Sequence, residues 1–201
     1  MWEIIQAAGW PIWPLILTSI VAVAIILERL WALRESNVLP PSLLADVIKM
    51  IKQGPIKKDA INSLSEHSML GEVFATTLKN YGKPSEILKN AIEQTGESIN
   101  YRLEKYLAAL GTISTVAPLL GLFGTIIGMV ELFGSFTNSG HDVAVFARGI
   151  SVALYNTAGG IVVAVPAMIA YRFFRSKIDH LINNMEHYAA ELLEALQDNG
   201  K

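Results

Sequence analysis

LGTISTVAPLLGLFGTIIGMV, Leu110 to Val130, and GISVALYNTAGGIVVAVPAMIAY, Gly149 to Tyr171, are the two stretches that decide what kind of protein this is. Neither contains Asp, Glu, Lys, Arg or His. Each has about the 20 residues a helix needs to cross a bilayer. A plain lipid anchor is rich in Leu, but these stretches are crowded with Gly, Ala, Ser, Thr and Pro. Small residues at helical spacing let helices approach closely in lipid, and hydroxyls and broken backbone bonds can face a cavity. The two segments are therefore expected to pack around something.

A third apolar run extends from about Trp10 to Leu27. The start, MWEIIQ, lacks the basic residues of a signal peptide and no small-x-small site follows the run, so it reads as a retained span. Trp10 and Trp13 are expected at one interface and Trp31 at the other. Arg29 and Arg34 follow this span, Arg102 and Lys105 precede the second, and Arg172, Arg175 and Lys177 follow the third. The opposite ends hold only Glu3, Glu131, Asp142 and Arg148. The positive-inside rule then places the N-terminus outside and the C-terminus in the cytoplasm. The loop between spans two and three, about 134–147, lies outside.

The chain has 201 residues, 52% of them hydrophobic, which suits a small membrane protein with one modest aqueous part. A net charge of −2 gives no basic excess for nucleic acid. Without Cys there is neither a disulfide nor thiol chemistry. The expected fold is all-α, with three transmembrane helices, two of them extended into the cytoplasm. Residues 1–34 form the first span with its periplasmic N-terminus, 35–104 a cytoplasmic helical insert, 105–173 the hairpin of spans two and three, and 174–201 a cytoplasmic C-terminal helix. Within the insert, Leu43, Leu44, Val47, Ile48 and Ile51 form one helical stripe and Val73, Phe74 and Leu78 a second. A helix starting at Pro84 meets no proline before Pro118, so it is expected to run straight into span two. Span three is expected to continue to about Leu196.

At about 100° per residue, one face of span two collects Gly111, Ser114, Thr115, Pro118, Gly121, Thr125 and Gly128. The matching face of span three holds Gly149, Ala153, Asn156, Gly160, Ala164 and Ala167, with Thr157 at its edge. Simple helix packing explains the glycines. It does not explain Asn156, Thr157 and Thr125 at depth, nor Pro118 and Pro166, each of which frees a backbone carbonyl. The candidate path-lining residues are therefore Thr125, Thr157, Asn156, Thr115 and Ser114. The candidate helix-packing residues are Gly111, Pro118, Gly121, Gly128, Gly149, Gly160 and Pro166. Spans two and three hold no carboxylate, Lys or His at membrane depth, so a proton-carrying carboxylate must come from another chain.

No enzyme site is visible. Glu28 and Arg29 are adjacent and face different sides of a helix, which suits an interfacial salt pair or snorkelled ends. His67, His141, His180 and His187 lack metal-ligand spacing, so neither a metal nor a cofactor is expected. Lys57, Lys58 and Asp59 read as a solvated face.

The run LGTISTVAPLLGLFGTIIGMVELF followed by GISVALYNTAGGIVVAVPAMIAYR resembles the MotA/TolQ/ExbB proton-channel family, and within it the ExbB and TolQ branch. The IIGMVELF end of span two leans toward ExbB. The resemblance implies a ring of five subunits around two copies of a small single-span partner, ExbD or TolR, whose transmembrane aspartate carries the proton. Movement driven by proton-motive force would pass to TonB, or to TolA in the Tol-Pal envelope system, in the bacterial inner membrane. The family's functional threonines match Thr125 in GLFGT and Thr157 in YNTAGG, and its prolines match Pro118 and Pro166. Relatives often carry a glutamate early in span three, in a GIAEAL-like sequence. Here Val152 in GISVAL takes that place and cannot titrate. A MotA-type flagellar stator usually has four spans, against three here. A purely structural membrane scaffold would account for the small stripes alone.

Overall fold

The computed structural model describes residues 8–54, 57–136 and 143–199, and it is all-helical among them. The helices are α1 (Ile12–Ala32), α2 (Glu35–Val38), α3 (Leu43–Gln53), α4 (Lys58–His67), α5 (Met69–Asn80), α6 (Ser85–Leu103), α7 (Leu107–Phe136) and α8 (Val143–Asn199). Three stretches are long and apolar enough to cross a membrane: Ile12–Ala32, Leu107–Gly134 and Phe146–Asp198. The loop expected between the second and third spans, with His141 and Asp142, falls on residues 137–142, outside the described residues, as does Glu3.

The chain divides into two compact units. One combines the residues up to Arg29 with Tyr106–Phe173, and the other combines Leu30–Lys105 with the residues from Phe174 on.

In the first unit α7 and α8 pair along a seam of small residues, and α1 lies along one flank. Leu15 of α1 packs against Ala117 and Ala164, beside Leu120 and Val163. Trp10 meets Phe123 edge-on, with ring centroids 6.2 Å apart. α1 has 21 residues and α7 has 30, so α7 is longer by about 13 Å at 1.5 Å per residue. Leu119, Phe123, Ile126, Val130, Leu154, Val162 and Ile169 are exposed on this unit. Such an apolar exterior is what lipid or neighbouring subunits must cover. Both internal prolines, Pro118 and Pro166, sit inside unbroken helices.

Arg29 is enclosed rather than snorkelled, at 5% exposure. Its Nε and Nη2 donate to the Glu28 carboxylate at 2.5 and 2.6 Å, and its guanidinium lies 5.4 Å from the Tyr106 ring centre. The salt pair expected of these two adjacent residues is therefore present.

The expected continuous helix from Pro84 into span two is corrected. α6 ends at Leu103, and α7 starts at Leu107 after a turn in which Tyr106 adopts φ 68°. A bulky residue in the left-handed region costs about 1–2 kcal/mol. The Arg29 guanidinium over its ring offsets part of that cost. The C-terminal extension of span three is present, since α8 runs on to Asn199.

In the second unit α3 buries Val47 and Ile51 and stops at Gly54, whose φ is 131°. Ser68 caps α5 by accepting the Gly71 N–H at 3.0 Å. α4 and α5 touch backbone to backbone there, because a Cβ on Gly71 would collide with the Leu64 carbonyl. α5 joins α6 through the Arg102–Glu72 ion pair and a Thr76–Thr95 hydroxyl contact at 3.1 Å. Phe174, Ile178, Leu181, Met185, Ala189, Leu192 and Leu196 form a buried stripe at spacings of three and four, as an amphipathic helix requires. The Tyr81 hydroxyl donates to the Leu196 carbonyl at 2.8 Å, and Arg175 pairs with Glu104 at 2.8 Å.

Candidate functional site

The α7–α8 seam is built by glycines that admit the opposing backbone. A Cβ on Gly121 would lie 2.8 Å from the Asn156 carbonyl oxygen and 3.2 Å from the Cα atoms of Gly160 and Thr157. A Cβ on Gly160 would lie 2.7 Å from the Ala117 carbonyl oxygen. Further along, a Cβ on Gly128 would lie 3.1 Å from the Ala153 nitrogen and the Gly149 carbonyl oxygen, and Gly149 is roofed by Leu132. Ordinary carbon contacts are at about 3.5–4.0 Å, so at Gly121 and Gly160, where the neighbour is backbone, no larger residue fits without moving a helix. Gly111 is looser, with its closest neighbour in the Tyr171 ring at 3.3 Å. Pro118 is half-buried at the seam's edge. Pro166 is corrected as a packing residue, because it stands on the exposed side of α8. It follows Ala164 by two residues, about 200° around the helix, and so does not pack in the α7–α8 seam.

Asn156 is wholly buried. Its Nδ2 donates to the Val152 carbonyl and to the Ala8 carbonyl, both at 2.8 Å, while its Oδ1 has no hydrogen-bond partner. Its expected place on a path-lining surface is corrected, since the residue is enclosed within the subunit by α7 and the segment before α1. Gly124 was absent from the packing pattern read in the sequence, yet it makes the tightest approach. A Cβ there would overlap the Asn156 Cβ and Cγ atoms.

The hydroxyls take a different position. Thr125 and Thr157 are both half-buried. From the seam centres at Gly121 and Gly160, Thr125 lies about 40° and Thr157 about 60° around their helices at 100° per residue. In an antiparallel pair, equal senses of rotation point to one common side. In the cluster around Leu15, Ala117, Leu120 and Val163 lie at negative angles and Ala164 alone at about +40°, so α1 sits mainly on the negative side. The two threonines therefore share the flank of the seam away from α1. Each hydroxyl donates to its own helix: Thr125 to Leu122 O at 2.7 Å and Thr157 to Ala153 O at 3.3 Å. Their oxygens keep lone pairs free to accept.

Ser114 is buried and Thr115 exposed, and they donate to Gly111 O at 2.7 Å and Thr112 O at 2.9 Å. With Thr112, Tyr171 and Arg172 they line a cavity of about 430 Å³ at the other end of the hairpin. The candidate hydroxyls thus form two groups, Thr125 with Thr157 and Ser114 with Thr115. His67, His180 and His187 all lie in the second unit, and His187 pairs with Glu191 one turn on.

The sequence model of the MotA/TolQ/ExbB proton channel family matches residues 65–187. The putative biopolymer transport protein ExbB-like 3 of Synechocystis sp. is similar, 31% identical over 176 residues that cover 85% of this chain and 83% of that protein. ExbB-like 1 of the same organism is 28% identical over 186 residues, covering 90% of this chain and 72% of that one. The biopolymer transport protein exbB1 of Vibrio cholerae is 25% identical over 189 residues, covering 90% and 82%.

Proposed function

Because the chain belongs to the MotA/TolQ/ExbB proton channel family, we propose that it is an ExbB-like inner-membrane subunit that couples proton-motive force to TonB-dependent transport across the outer membrane. Copies of it, five in a ring, surround a single-span partner of the ExbD kind, and the partner's membrane Asp carries the proton. The N-terminus is periplasmic and the C-terminus cytoplasmic. The chain itself catalyses no chemical reaction.

The observation that carries this reading is the shared position of Thr125 and Thr157 on the flank away from α1, in a hairpin with no Asp, Glu, Lys, Arg or His between Leu107 and Val130 or between Gly149 and Tyr171. A hydroxyl bonded back to its own helix offers an acceptor, which suits a protonated carboxyl group. Turned outward, the same hydroxyl donates, which suits a carboxylate. The Thr157 bond to Ala153 is long at 3.3 Å and readily released. Two such groups on one face can therefore serve both charge states of a passing carboxyl. The ExbB names of the relatives favour this branch over a TolQ-like role in the Tol-Pal system.

Thr125→Val and Thr157→Val test it, since each removes a hydroxyl at nearly constant volume. In a strain lacking the gene, each variant should reach the membrane at wild-type level and lose energy-dependent function. Full activity in both would leave these threonines as packing residues and overturn the proposed path.

A further inference from the structure

We infer that Asn156 and Gly124 act as a positioning lock, fixing the rotation of α7 against α8 so that Thr125 and Thr157, each the next residue along its helix, share one face. This rests on the reading of those threonines as the proton path.

The stripe of α8 that faces α7 is otherwise filled by small side chains without polar atoms: Ala153, Gly160, Ala164 and Ala167. An alanine at 156 would continue that pattern. An amide there instead leaves a buried acceptor unpaired, which costs about 1–3 kcal/mol. Packing alone gives no reason for it. Two contacts distinguish the amide from an alanine. Its Nδ2 reaches Ala8, 148 residues away in sequence, and so ties the segment before α1 to the middle of the hairpin. Its Cβ and Cγ fill the space left by the missing side chain of Gly124. Turning α7 by one residue in either direction would replace Gly124 with Phe123 or Thr125, and neither fits against Asn156. The lock thus admits one rotation of α7, the one that places Thr125 about 100° from Gly124 and outside the seam.

The chain contains no cysteine, which permits a direct reading of the threonine face. Thr125→Cys and Thr157→Cys, made singly, are labelled in membranes with N-ethylmaleimide. Gly124→Ala should change the labelling rate at one or both sites by about fivefold or more and reduce energy-dependent function. Adding Asn156→Ala, which empties the space the new methyl needs, should return the labelling rate toward wild type, because contacting residues are coupled and not additive, and should raise function no further than Asn156→Ala alone allows. Asn156→Ala alone adds no volume and removes the unpaired acceptor. Because it also removes the two amide hydrogen bonds and opens space beside Gly124, it should lower both the melting temperature and function, so the labelling rate and not function alone separates the lock from packing. Gly124→Ala with unchanged labelling, or a double variant that labels as Gly124→Ala does, overturns the lock. If Thr125→Val and Thr157→Val are fully active, the path reading fails by itself, and the labelling result still decides whether the lock exists.

Discussion

Gly160→Val perturbs the seam at its narrowest backbone contact. The Cβ alone would lie 2.7 Å from the Ala117 carbonyl oxygen, 3.1 Å from Gly121 Cα and 3.3 Å from Gly121 N. Against ordinary separations of about 3.5–4.0 Å, it intrudes by roughly 0.5–1 Å before the two γ-methyls are placed. Overpacking of this kind costs about 1–3 kcal/mol, and three added carbons put it at the upper end. Valine recovers only a few tenths of a kcal/mol in helix propensity, leaving a net loss of about 2–3 kcal/mol. For a chain of this size each kcal/mol moves the melting temperature by about 2–4 °C, so the midpoint should fall by about 4–12 °C. Gly96→Ala is the control. Gly96 lies inside α6 with nothing within 4 Å of a new Cβ. That change should be neutral or raise the midpoint by about 2–4 °C, from a gain near 1 kcal/mol. Intrinsic tryptophan fluorescence during heating in mild detergent follows both. If Gly160→Val melts with the wild type, the helices do not meet at Gly160, and the rotation assigned to both threonines is wrong.

Gly71→Ala should destabilise the second unit by about 3 kcal/mol, since the new Cβ meets backbone at Leu64 and not a movable side chain. Loss of helical circular dichroism at lower temperature is the measurement. Arg29→Met should lower stability by about 1–2 kcal/mol by removing the Glu28 pair and the cation over Tyr106. Arg29→Lys should recover less than half of that in the same melt, because an ammonium lacks the planar fork.

The face of α8 was legible in the sequence because its small residues form a single stripe. Ala153, Asn156, Gly160, Ala164 and Ala167 are all buried. On α7 two overlapping stripes compete. Gly121 and Gly128 belong to both, and the choice lies between Thr115 on one side and Ala117 with Gly124 on the other. Leu15 of α1 decides it by packing on Ala117, a contact between distant parts of the chain that periodicity does not contain. The sequence reading was therefore rotated by roughly 40° on α7. The break between α6 and α7 carried no signal either. Neither Gly nor Pro marks it, and Tyr106 turns left-handed beside an arginine from the end of α1. α4 escaped notice because only Leu64 of its ten residues is buried.

The central claim is that this chain shapes a proton path but cannot carry the proton itself. Crossing about 30 Å of hydrocarbon needs water and a titratable stepping site. The stretches Leu110 to Val130 and Gly149 to Tyr171 offer hydroxyls and no Asp, Glu, Lys, Arg or His. The direct measurement is proton flux into liposomes under an imposed gradient. The purified chain alone should leak no more than empty vesicles. Co-reconstitution with a single-span protein of the proposed ExbD kind should create flux, and an Asp→Asn change at that protein's membrane carboxylate should abolish it. Strong flux through the chain alone would contradict the account and point to a water wire past Thr125 and Thr157.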